Sequence, residues 1–306
     1  MNDRTLLTVA LVGRLTKDVE PVSIKDWRHM RSVISEIAGS EDAASDVSAW
    51  AKKNLAPEAA ERVKERLSCL EEVLASSQEL NAVGIVALTE FDDEYPSKWT
   101  ERLGEIRAPL LFAAGNRALL NMESIGVVGS RDVDEPGREY AQELARTIAE
   151  GGFVLVSGGA KGVDREAMNA AFEAGGDSIG ILSDSLEKAC FSSGMADTLE
   201  SGRVCLCSPF SPDAPFNVGN AMGRNKLIYA HSRATVVVSS ASETGGTWAG
   251  AVEALKFGYC PVLVRDGDGV PLGNRRLIER GGIPLESAGE LWEVLEREPT
   301  APGSLF

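Results

Sequence analysis

Polar and apolar positions between residues 123 and 176 repeat one pattern twice. An apolar run at 125–128 stops at Gly129, Ser130 and Arg131. A helical pattern follows, with Tyr140, Leu144 and Ile148 on one face, and it ends at Gly151 and Gly152. A second apolar run at 153–156 breaks into Ser157, Gly158, Gly159, Ala160, Lys161 and Gly162, and another helix begins near Asp164. Two successive strand–turn–helix units predict parallel strands joined by crossover helices, because a parallel pair needs a connection of about a dozen residues. Further apolar runs at 178–182, 204–207, 235–238 and 261–264 are separated by helical stretches, notably 220–231 and 247–257. The pattern predicts an α/β chain with a doubly wound, mostly parallel sheet whose ligand lies at the carboxyl ends of the strands.

Before this sheet, residues 1 to about 85 read as helical and charged. Trp27, Met30, Val33, Ile34 and Ile37 share one helical face, 39–48 reads as a small-residue acidic connector, and 57–80 reads as one longer helix carrying Ala60, Val63, Leu67, Leu70 and Leu74. Nothing there has the makings of a catalytic site, so an accessory helical domain is expected. From Val83 the texture changes to a short strand, an acidic turn at Asp92, Asp93 and Glu94 expected to be solvated, and a second strand ending at Gly115 and Asn116. This segment is expected to pack on the edge of the main sheet. Towards the C-terminus the run at 261–264 is placed near a sheet edge. Leu277, Ile278, Ile283, Leu285 and the amphipathic set Leu291, Trp292, Val294 and Leu295 follow, either covering the sheet or facing a second copy.

The glycine turns suggest anion binding. Glycine lets the backbone approach a ligand, and a helix beginning behind the turn aims unpaired N–H groups and its positive dipole end at the same point. Arg131 sits in the first turn and Lys161 in the second. Two later stretches return to the same edge: Arg224, Asn225 and Lys226, and then Thr244, Gly245, Gly246 and Thr247 at a third strand-to-helix junction. Neither early turn fits the dinucleotide or P-loop fingerprint. Asp164 is expected to cap its helix or order the glycine loop. Phe210, Phe216, Tyr229 and Trp248 are the aromatic residues available for stacking near these motifs.

Composition narrows the chemistry. A net charge of −15 over 306 residues argues against a broad basic surface. Screening confines a distant charge to about 8–10 Å, so a local basic pocket is compatible with that total. The five cysteines lack C-x-x-C spacing, and Cys205 and Cys207 alternate so as to share one buried strand face. The two histidines, His29 and His231, lie in helical contexts that suggest structural roles. No catalytic residue, metal or cofactor is predicted. Without a membrane-length apolar run or a signal-peptide cleavage region, a soluble cytoplasmic protein is expected.

Taken in order, the motifs resemble those of the DprA/Smf family of DNA-processing proteins. They are Gly129-Ser130-Arg131, then 156–164 reading V-S-G-G-A-K-G-V-D, then Arg224-Asn225-Lys226, then 245–251 reading G-G-T-W-A-G-A. Tyr95-Pro96 and the stretch 108–112 resemble the family's approach to its nucleotide-binding-like domain. The resemblance covers about residues 85 to 285. It implies a Rossmann-like domain that binds single-stranded DNA in a basic pocket, forms a homodimer and helps load a RecA-type recombinase during DNA uptake. Arg131, Lys161, Arg224 and Lys226 are the phosphate-contact candidates it implies. It also suggests a SAM-like helical domain over 1–84, a strand-containing extension over 85–121, the Rossmann-like domain over 122–286, and a C-terminal helix and tail over 287–306, without the winged helix many members carry. Met168 and Lys226 depart from the family pattern, which has histidine and arginine there.

A second reading is a nucleotide sensor or a phosphoribohydrolase. The lonely-guy phosphoribohydrolases resemble this chain in their glycine turns, but their signature places a glutamate shortly after Gly-Thr. Here Glu253 falls one helical turn later, and Glu243 precedes the glycines.

Overall fold

The computed structural model describes residues 1–16, 19–37, 39–40 and 42–297. Five helices come first: α1 (Asp3–Val12), α2 (Ile24–Ile37), α3 (Ala43–Asn54), α4 (Pro57–Leu67) and α5 (Leu70–Ala82). Then follow β1 (Ile85–Thr89), α6 (Ser97–Leu103), β2 (Leu110–Gly115), β3 (Ser124–Gly129), α7 (Glu135–Glu150), β4 (Val154–Ser157) and α8 (Val163–Glu173). The chain continues through β5 (Ser178–Ile181), α9 (Leu186–Cys190), α10 (Met195–Glu200), β6 (Val204–Ser208), α11 (Val218–His231) and β7 (Ala234–Ser239). It ends with α12 (Gly245–Phe257), β8 (Val262–Arg265), α13 (Leu272–Glu279), β9 (Ile283–Leu285) and α14 (Leu291–Arg297). The tail expected after α14, residues 298–306, lies outside the described residues.

All nine strands join one sheet in the order β1-β2-β6-β5-β4-β3-β7-β8-β9. From β6 to β9 every pairing is parallel, and β1 and β2 are added antiparallel at one end. The chain winds outward from β3 in one direction through β4, β5 and β6, then returns to the other side of β3 with β7. Their carboxyl ends therefore flank a topological switch point, where the two crossovers diverge and leave a crevice.

Apolar layers cover both faces. On one, Val156, Ile179, Cys205 and Cys207 pack under Leu227 and Tyr229 of α11 and Ala251 of α12. On the other, Ile125, Val127 and Val236 pack under Leu144 and Ile148 of α7, Ala167 of α8, and Leu291 and Leu295 of α14. The C-terminal apolar set thus covers the sheet of its own chain. Beyond it, β9 is an edge strand that a polarity reading misses, because Pro284 sits at its centre; a proline withholds one N–H, and an edge tolerates that.

The N-terminal helices differ from expectation at two points. Helix α3 starts at Ala43, inside the expected connector, with the Asp42 carboxylate accepting from the Ser45 amide. The expected helix over 57–80 is two helices, broken at Ser68 and Cys69. Arg66 accounts for the break. It is fully buried and donates to the carbonyls of Ala10 and Gly13, where α1 ends and its carbonyls lack helical partners, and to that of Val19 in the connection beyond. Helix α4 has to aim Arg66 there, while α5 turns to lay Val73 with Val9 and Ile85. Leu67, Leu70 and Leu74 keep helical spacing across the break, so periodicity does not reveal it. The acidic turn is not simply solvated either: Asp92 accepts from the Thr89 amide at 2.8 Å and from the Thr5 hydroxyl, tying α1 to the end of β1.

Candidate nucleic-acid interface

A cleft of about 660 Å³ opens at the switch point. Its walls are the turn after β3 (Gly129, Ser130, Arg131), the start of α12 (Thr244, Gly245, Gly246, Thr247) and the flank of α11 (Arg224, Asn225). Helix α12 begins without a side-chain cap, because Thr244 makes no capping hydrogen bond. Its first amides and its dipole therefore remain available to an anion. Asn225 holds α12 in place, donating from Nδ2 to the Gly246 carbonyl at 2.9 Å.

Arg224 lies in the cleft wall although it is only 4% exposed. Its Nε and Nη1 have no hydrogen-bond partner among the described residues. The guanidinium rests on Gly158, where a Cβ would overlap Nη1, so a side chain at that position would have to displace Arg224. Burial lowers the pKa of Arg224, against the opposing pull of the Asp164 and Asp184 carboxylates. Asp164 is buried as well, and burial raises its pKa against Arg224 and the backbone N–H groups of Ala160, Gly158 and Gly129. One of these bonds runs from the Gly158 amide to Oδ2 at 3.2 Å. The Tyr229 hydroxyl, on α11 in the same cleft, is buried and also has no partner among the described residues. Leaving a buried polar group unpaired costs about 1–3 kcal/mol, more for a charge, so the fold carries a cost at the wall of this cleft.

The mouth is apolar and exposed. Phe216, Val218 and Met222 are 46%, 65% and 47% exposed, and all three line the cleft. The Arg131 guanidinium stands 4.6 Å from the Phe216 ring centroid. Opposite, Glu243 adopts a left-handed backbone (φ 59°), rare for a residue with a side chain, and its carboxylate pairs with Arg276 at 2.8 Å.

The structure divides the predicted site residues. Gly129, Ser130, Arg131, Arg224, Asn225 and residues 244–247 come together around the cleft. Ser157, Gly158, Gly159, Lys161, Gly162 and Lys226 are not in its lining. The Ser157 hydroxyl donates to the Val127 carbonyl at 2.6 Å, joining two strands. The second glycine turn differs in kind from the first: Asp164 already takes its amides, so the chain's own carboxylate sits where a phosphate was expected. Lys161 is exposed outside the cleft. The apolar mouth was not anticipated as a unit, although Phe216, Val218 and Met222 stand just before Arg224 in sequence and an apolar cluster beside a cationic motif was a usable signal.

The other candidate chemistry is taken up in packing. His231 is fully buried, its Nε2 donating to the Leu120 carbonyl at 2.9 Å and its Nδ1 facing the Ser124 hydroxyl at 3.0 Å. A carbonyl only accepts, so this assigns the neutral tautomer with the proton on Nε2. Burial pushes Cys205 up to about 12 and Cys207 also well above its ordinary value. Glu253 accepts from the Tyr259 hydroxyl at 3.2 Å and is not in the cleft lining.

A doubly wound, mostly parallel sheet with its cleft at the switch point defines a Rossmann-like class of protein. Residues 86–296 match the family model described as DNA recombination-mediator protein A. The chain belongs to this family, the DprA/Smf DNA-processing proteins. It is 28% identical to DNA processing protein DprA of Bacillus subtilis over 231 residues, 74% of this chain and 75% of that one. It is 31% identical to DprA of Streptococcus pneumoniae, covering 67% of this chain and 72% of that one. Protein Smf of Escherichia coli is 32% identical over 64% of this chain, and the match spans only 54% of that protein's length. The crystal structure of S. pneumoniae DprA superposes with a TM-score of 0.73 over 96% of this chain and 98% of that chain, at 20% identity. A Helicobacter pylori DNA processing protein A, described for its single-stranded DNA binding mode, superposes with a TM-score of 0.56 over 70% of this chain and 96% of that one, at 21% identity.

Proposed function

We propose that this DprA-type protein binds single-stranded DNA in the switch-point cleft and does so without catalysis. The observation that carries the reading is Arg224, a buried guanidinium with two unpartnered groups beside the uncapped start of α12. A strand phosphate at that point would pair with a fixed planar donor and with backbone amides at once. Arg131 would meet the neighbouring phosphate, and the exposed Phe216 ring would offer a face to a base. Backbone contacts of this kind carry little sequence preference.

With a net charge of −15 the chain as a whole repels DNA, so the attraction in this reading is local to the cleft. A hydrolase would need a carboxylate free to act in the cleft. Glu243 is engaged by Arg276, Glu253 lies outside, and Asp164, which does line the cleft, is buried and accepts from the Gly158 amide, which supports a binding role.

Family membership supports further proposals: assistance to a RecA-type recombinase, a cytoplasmic setting and a homodimer whose two clefts hold one strand together. No helix among the described residues is long and apolar enough to cross a membrane. The test is fluorescence anisotropy of labelled oligonucleotides across a salt series, with nucleoside monophosphates as competitors. Expected are oligonucleotide binding that weakens with salt and poor competition by the monophosphates. Equal competition per mole would establish a mononucleotide site instead.

A further inference from the structure

At the far end of the sheet from the cleft, β1 pairs only with β2, and its other edge has no strand partner among the described residues. Beside it runs a groove of about 540 Å³. The groove is lined by Val86, Ala87 and Leu88, consecutive residues that face opposite sides of the sheet: Val86 and Leu88 pack into one core layer, and Ala87 into the other. A groove touching residues of both faces has to follow the strand's backbone edge, where alternate N–H and C=O groups point outward. None of the backbone groups of Ile85, Val86, Ala87 or Leu88 has a hydrogen bond from a turn or loop among the described residues.

The far wall is the outer side of α5. Leu74 there is 38% exposed, and Gln78 and Asn81 add side-chain amides able to donate and accept. The Ser77 hydroxyl lines the same groove, buried and without a partner among the described residues. At the C-terminal end of β1 the groove meets Asp92, Asp93 and Glu94. Asp92 is committed to Thr5 and Thr89, and Glu94 pairs with Arg117. Asp93 has no ion-pair partner among the described residues.

We infer that this groove is a docking site for an extended peptide of a partner protein. The peptide adds a strand to β1, lays an apolar side chain against Leu74 and Val86, and places a lysine or arginine at Asp93. Main-chain pairing along a strand edge supplies the affinity, alternate side chains supply the choice, and the acidic end selects the basic residue. The five residues of β1 offer about 17 Å, enough for a segment of similar length. The site lies apart from the cleft and does not depend on what the cleft binds.

The test uses the full chain with synthetic hexapeptides of alternating valine and threonine ending in lysine, a matched set ending in glutamate, and a third set with proline at alternate positions. Anisotropy reads binding, and amide hydrogen exchange reads residues 85–88. The expected result is binding of the lysine-ended peptide with slowed exchange at β1, and none with the proline set. Asp93→Lys should weaken that peptide by roughly tenfold and favour the glutamate-ended one. Leu74→Glu should weaken both, with unchanged Tm as the check on folding. Failure of every peptide to slow exchange at roughly millimolar concentration, or binding indifferent to both substitutions, overturns the proposal. Exchange that slows with protein concentration alone would assign the edge to a second copy and overturn it equally.

Discussion

Gly158 and Arg224 are one structural unit: the guanidinium lies where a side chain at position 158 would stand. The glycine of the second turn thus serves the cleft indirectly, by leaving room for the arginine that faces it. Gly158→Ala should push Arg224 off its seat and weaken oligonucleotide binding. Hydrogen bonds to a charged group contribute about 1.5–3 kcal/mol, which corresponds to roughly 10- to 100-fold in affinity. Anisotropy titrations of this variant beside Arg224→Met check the coupling. If Gly158→Ala bound normally while Arg224→Met did not, the seat would be irrelevant.

Arg131 and Lys161 were alike in sequence, one cation in each glycine turn, but only Arg131 lines the cleft. Arg131→Ala should therefore lower the slope of log K against log salt by about 0.7, the value for one phosphate contact on a single strand. Lys161→Ala should change it much less. Equal slopes for the two variants would put the strand across the second turn rather than in the cleft.

What the sequence disclosed follows from how local each signal is. The sheet was legible because its buried strands are short apolar runs, β3 and β4 leading into glycine turns, and the strand–turn–helix units name their own connections. The break between α4 and α5 was hidden because it is imposed by Arg66 reaching α1, a contact across more than fifty positions of chain. The site was half legible for the same reason. Arg131 and the start of α12 announce themselves by motif, whereas Asp164 filling the second turn depends on where α8 carries that carboxylate. An acidic residue two positions after a glycine reads equally well as cap, ligand or lining.

Phe216 makes a separable contribution. It is 46% exposed, so its ring adds little to the core. Stacking of a base on an aromatic ring is worth about 1–3 kcal/mol by alanine substitution. Phe216→Ala should cost a comparable loss in oligonucleotide affinity, with Phe216→Trp restoring it and the salt slope unchanged in both. An altered slope would mean that the ring acts mainly by holding Arg131.

His231 should make the fold sensitive to mild acid. Burial pushes its pKa down to about 3 from the ordinary 6.5, with the Lys98 charge adding to the effect. Above the ordinary value both folded and unfolded chains carry it neutral, and stability does not depend on it. As pH falls through that value the unfolded chain takes up the proton and the folded chain does not, so stability falls by about 1.4 kcal/mol per pH unit. By about pH 5 the loss is roughly 2 kcal/mol, and it continues until the folded value near 3 is reached. The lowered pKa of Glu123, caused mainly by the hydrogen bond from Lys98, adds a loss in the same direction only within the carboxylate range. The raised pKa of Asp164 works the other way, favouring the folded state as acid is added. Glu123 and Asp164 are common to the parent and a His231 variant, so the difference between the two proteins from about pH 6.5 to 5 isolates the histidine. His231→Gln retains a hydrogen-bonding side chain and cannot titrate there, so its Tm should be lower at neutral pH but should fall less than the parent's across that interval. Parallel Tm curves for the two proteins would show that His231 does not titrate as its burial requires.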